Sequence, residues 1–113
     1  MILDRCLLLA ICGALACLGQ GLSPAMAQSF VQSAKCGVFY DKWNVPGAPA
    51  GTLATVGMAH ESFAARDCLS RKNTPMACEH YRKALGALDR MGPTQAAELG
   101  PGIKAKMAEA GCR

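Results

Sequence analysis

The chain is poor in the residues that announce chemistry. Of 113 residues, only two are histidine, and the aromatic set is three Phe, two Tyr and one Trp. No Cys-x-x-Cys occurs, which removes a thioredoxin-like redox centre, and no Cys-x-x-Cys-His, which removes a covalent c-type haem. No His-Glu-x-x-His, nucleophile elbow or phosphate-binding glycine loop is present, so the common zinc-hydrolase, serine-hydrolase and nucleotide-binding readings have no support. Alternating apolar and polar residues never persist long enough for a strand. Beyond residue 27 no apolar run approaches the roughly 20 residues that span a bilayer. Twelve basic residues against eight acidic leave a net charge of +4. That favours solubility and weak attraction to anionic surfaces, but is too mild to argue for nucleic acid.

What is present begins with a leader. Residues 1–27 read as a cleaved secretory signal peptide: Arg5, an apolar run through Leu18, then Ala25-Met26-Ala27 with small residues where a signal peptidase needs them. Cleavage after Ala27 leaves Gln28 first. Ala14-Leu15-Ala16-Cys17 is a looser match to a lipoprotein site, a minor alternative that would anchor the chain at Cys17. The expected location is periplasmic or secreted. The part after the leader is one small domain with thin folding stability, for which covalent staples are physically expected.

Four cysteines follow the leader: Cys36, Cys68, Cys78 and Cys112. An even count in an exported chain points to disulfides, and their wide spacing argues against a four-cysteine zinc site. Four cysteines allow three pairings. Cys68 and Cys78 stand equally far before and after Asn73 in a helical hairpin, which favours Cys68–Cys78 and leaves Cys36–Cys112.

The predicted fold class is all-α: a small disulfide-stapled bundle of three to four helices. Residues 28–51 form an aromatic-rich N-terminal segment and a Pro/Gly loop. Residues 52–113 form a helical hairpin and a C-terminal helical segment. Helical spacing of Val31, Ala34, Val38 and Phe39 suggests a helix over 29–43, weakened by Gly37. Residues 52–72 carry Leu53, Val56, His60, Phe63 and Ala64 on one side. The clearest helix covers 76–91, with Ala77, Cys78, Tyr81, Ala84, Leu85, Leu88 and Met91 on one face. Thr74 is the expected cap and Pro75 the first turn. Gly100-Pro101-Gly102 is expected to divide the tail into helices over 95–99 and 103–110.

Ala77, Tyr81, Ala84 and Leu85, after the Arg71-Lys72-Asn73 turn and with Ala64-Ala65 on the preceding helix, resemble a single tetratricopeptide-repeat hairpin over residues 61–92. The resemblance implies a helical protein-binding scaffold, of which one unit carries over a hairpin shape but no groove.

His60 and His80 each stand beside a glutamate and are the candidates for metal binding or acid–base work. The expected arrangement is one partly buried histidine and one solvated, since His80 lies off the apolar face of its helix. Phe39, Tyr40 and Trp43, just before the Pro/Gly loop, are the candidate partner-binding residues. The alternative is that they pack the first segment onto the hairpin. Arg66, Arg71, Lys72, Arg82, Lys83 and Arg90 form a solvated basic face. No cofactor is implied. The reading is an exported binding or accessory protein, acting on another exported protein, more non-catalytic than enzymatic. The alternatives are a structural envelope component, or a small enzyme or metal-binding protein using His60 or His80.

Overall fold

The computed structural model describes residues 33–113; the leader, its cleavage site and residues 28–32 lie outside them. The described chain is all-α, built on one composite helix and two further helices. The composite comprises α1 (Ala50–Met58), a π-helical stretch (Ala59–Ala64) and α2 (Ala65–Ser70), which follow one another without a break. Next come α3 (Thr74–Met91) and α4 (Pro93–Ala110). Among the described residues no helix is long and apolar enough to cross a membrane.

Local chemistry sets the boundaries. α1 starts directly after Pro49, whose carbonyl accepts the Leu53 N–H. The composite ends at a tight turn in which Lys72 takes φ 59° and the Asn73 N–H reaches back to the Cys68 carbonyl at 2.8 Å. Asn73, not Thr74, caps α3: its Oδ1 accepts the Met76 N–H at 3.3 Å, one residue earlier than the Thr-Pro signal suggests. Gly92, at φ 137°, is the only residue between α3 and α4, a backbone state that strongly favours glycine.

Three expectations are corrected. Residues 34–49 are turns, bends and irregular chain rather than the continuation of a helix over 29–43. Gly37 sits at φ 87°, and the backbone bonds there are turn bonds, Val38 N–H to the Lys35 carbonyl and Trp43 N–H to that of Tyr40. α4 runs unbroken through Gly100-Pro101-Gly102. Pro101 removes one helical N–H on an exposed side of the helix, while buried Gly100 and Ile103 hold α4 against α3, so packing overrides the local preference. The bridges are Cys36–Cys68 and Cys78–Cys112, not Cys68–Cys78 with Cys36–Cys112. α3 and α4 are each 18 residues long and joined by one glycine, so the end of α4 returns to the start of α3 and delivers Cys112 to Cys78. Cys68 faces the N-terminal segment instead, where the neighbouring Asp67 carboxylate accepts the Cys36 N–H at 2.9 Å.

The core is built on small residues. Ala65, Ala77 and Ala84 let the helices approach closely, and Cys68, Tyr81, Leu88 and Ile103 fill the space between them. The π-helical stretch moves the inward stripe of the composite helix by one residue. Leu53, Val56, His60 and Ala64 face in as expected, Ala65 and Cys68 continue the stripe, and Phe63 turns outward, 39% exposed. Asn44 pins the N-terminal turns to α3, donating to the Lys83 carbonyl and accepting from Arg90 Nη1 at 2.6 Å.

Candidate functional site

The two histidines meet. His60, on the π-helical stretch, and His80, on α3, are both 0% exposed, with Nδ1 to Nδ1 at 2.8 Å. The expectation of a solvated His80 is therefore overturned: the turns of residues 34–49 cover a second face of α3. Phe39 stacks on the His80 ring, centroids 4.4 Å apart and planes at 12°, and Tyr40 tilts over His60 at 5.6 Å. The Gly37 N–H donates to His80 Nε2 at 3.0 Å.

These contacts assign the protons. An amide N–H on His80 Nε2 requires a lone pair there, so a neutral His80 carries its proton on Nδ1. That proton is donated to His60 Nδ1, and His60 must be protonated at Nε2. His60 Nε2 is buried without a hydrogen-bond partner, at a cost of about 1–3 kcal/mol for an unmet buried donor. Both rings favour the neutral form. Burial, then the positive charge that His80 and Lys83 would place nearby, pull His60 down from 6.5 to about 4, with Asp41 opposing. Burial also lowers His80, with Glu79 opposing. Asp67 is held below the usual carboxylate range, first by the Cys36 N–H and then by Arg71, while desolvation opposes.

The candidate partner-binding aromatics are half-buried. Phe39 seals the histidine pair, and Tyr40 and Trp43 pack against buried Val56, with Lys42 Nζ 4.7 Å from the Trp43 ring centre. Of the basic face, Arg71 pairs with Asp67, Arg82 with Glu79 and Lys83 with Asp41.

A groove opens between α1 and α4, with a volume of about 310 Å³. Met58, Leu88, Met91, Leu99 and Ile103 supply its apolar walls, Gly102 adds no side chain to it, and Glu61 and Glu98 stand at its edge. Met58 is 46% and Leu99 54% exposed. Glu61 is neutralised by Lys106 at 2.9 Å, whereas Glu98 has no ion-pair partner among the described residues. The groove meets the general description of a ligand site: concave, mostly apolar, with few polar groups.

Sequence reasoning did not find the groove or the meeting of the histidines. A signal existed for the second: His80, Ala84 and Ala87 recur at helical spacing and all are buried, a second inward face marked only by small residues. No family model, curated protein or solved structure matches this chain.

Proposed function

We propose that the chain is a small exported helical binding protein with no catalysis of its own, and that its ligand seat is the groove between α1 and α4. The groove carries the reading: apolar walls of about 310 Å³ next to a carboxylate, Glu98, without an ion-pair partner among the described residues. That chemistry suits an amphiphilic cation, an apolar body inserted between Met58 and Leu99 with its ammonium head toward Glu98. The two disulfides support export, since such bridges persist in oxidising compartments. The burial of both histidines, each engaged with the other, supports a non-catalytic role.

The test is displacement of a neutral fluorescent naphthylamine probe. Dodecylamine should displace it at least ten times more effectively than dodecanoate. Gly102→Leu is the matching variant, because Gly102 lines the groove and a Cβ there meets nothing within 4 Å. Probe binding should be lost in a protein that melts no lower than the parent. Equal affinity for the two amphiphiles would remove the role of Glu98. Unchanged binding by the Gly102→Leu protein would remove the groove, and capture of a basic apolar peptide but no amphiphile would replace the ligand with a protein partner.

A further inference from the structure

We infer that Cys36, Cys68 and His80 form a latent site for a thiophilic cation, Zn²⁺ or Cu⁺, which opens when the Cys36–Cys68 bridge is reduced. The two sulfurs and one imidazole nitrogen lie within 4.8 Å of one another, half-buried at Cys36 and buried at Cys68 and His80. Tetrahedral zinc with two thiolates and an imidazole needs ligand atoms about 3.6–3.8 Å apart, from bonds of about 2.3 Å to sulfur and 2.0–2.1 Å to nitrogen. Freed sulfurs separate to that distance, and the imidazole has to approach by only about 1 Å.

The histidine pair prepares this site. His80 donates Nδ1–H to His60, which fixes its tautomer and leaves the Nε2 lone pair facing the segment that carries Cys36 and Gly37. A ring nitrogen held by a buried acceptor while the other stays free is the usual support of a metal-bound histidine. Binding displaces one contact, the Gly37 N–H on Nε2, and Gly37 is exposed, so water can take that N–H. Among the described residues no comparable set surrounds the second bridge, Cys78–Cys112.

The chemistry balances in two steps. An external dithiol reductant of the exported compartment gives two electrons and two protons to the bridge, leaving two thiols here and a disulfide on the reductant. Zn²⁺ then replaces the two thiol protons, which pass to solvent, and the site becomes neutral. Three protein ligands leave a fourth position for water or an incoming thiol.

Cobalt(II) titration of the full mature chain, with and without phosphine reductant, tests this. The reduced protein should take up one Co²⁺, with a thiolate-to-cobalt charge-transfer band and the strong visible bands of tetrahedral cobalt, both erased by Zn²⁺. The oxidised protein should give neither. Cys78→Ala/Cys112→Ala should keep the full signal, and Cys36→Ser/Cys68→Ser should lose it. His80→Ala should lose the tetrahedral bands, and His60→Ala should weaken binding about 10–100-fold with the spectrum kept, the mark of an outer partner. A signal that follows Cys78 and Cys112, a signal unchanged in His80→Ala, or a reduced chain that neither binds cobalt nor regains helical circular dichroism when cobalt is added would each overturn the proposal.

Discussion

Acidifying the oxidised protein should weaken it well above the range where carboxylates titrate. As pH falls, the unfolded chain protonates His60 near 6.5, whereas the folded chain resists until about 4. Between these values the unfolded state holds more protons, so stability is full above 6.5 and drains away down to about 4. The interval is worth about 3 kcal/mol at about 1.4 kcal/mol per pH unit. His80 shifts in the same direction, but the two rings share one hydrogen bond and titrate as a pair, so they are counted once. For a domain of this size, 3 kcal/mol is a fall in melting temperature of roughly 10–25 °C. The charged groups around the pair, Asp41, Glu79 and Lys83, modulate the midpoint. Asp67 acts lower: its depressed carboxyl contributes stability above its ordinary value of 3.8 that is lost as pH falls beneath it. Melting curves by circular dichroism at half-unit steps from pH 7.5 to 4.5 give the slope. His60→Leu/His80→Leu, which removes both partners of the buried bond together, should flatten it. A parent with constant melting temperature across that range, or a double variant with the parental slope, would refute the tautomer and burial argument.

Three further outcomes are expected. Leu53→Ala, at the largest of the fully buried side chains, should cost about 2–5 kcal/mol by chemical denaturation, more than Leu85→Ala, whose side chain is only half-buried. Pro101→Ala should raise stability by about 1–3 kcal/mol, because it restores an N–H within α4 and both Ala97 and Pro101 face solvent. Asn44→Ala should cost about 1–3 kcal/mol and speed amide exchange at residues 36–44, since Asn44 ties those turns to the Lys83 carbonyl and Arg90.

The hairpin was readable because its signals are local. Thr74-Pro75, the Ala77-Tyr81-Ala84-Leu88 stripe and Gly92-Pro93 speak within a few residues, and α3 follows them to within one residue at its start. The even cysteine count likewise predicts two bridges, but not their partners. Pairing depends on which neighbour each cysteine faces, and symmetry about Asn73 says nothing of helix length. The equal lengths of α3 and α4, hidden by the assumption that Gly100-Pro101-Gly102 breaks the tail, decide it. Phe63 went outward because a π-helical stretch shifts phase without a sequence mark. His80 was misplaced because a helix with two buried faces shows its second one only in alanines. The groove is made by residues distant in sequence, Met58 and Leu99, and by the absence of a side chain at Gly102, so no single segment displays it.

The most direct test of the binding account is a methyl-detected NMR titration of residues 28–113, oxidised, with dodecylamine. The account predicts shifts confined to Met58, Leu88, Met91, Leu99 and Ile103, with the Phe39, Tyr40 and Trp43 ring signals unmoved. Shifts centred on those three rings and Val56, or none at saturating amine, would contradict it.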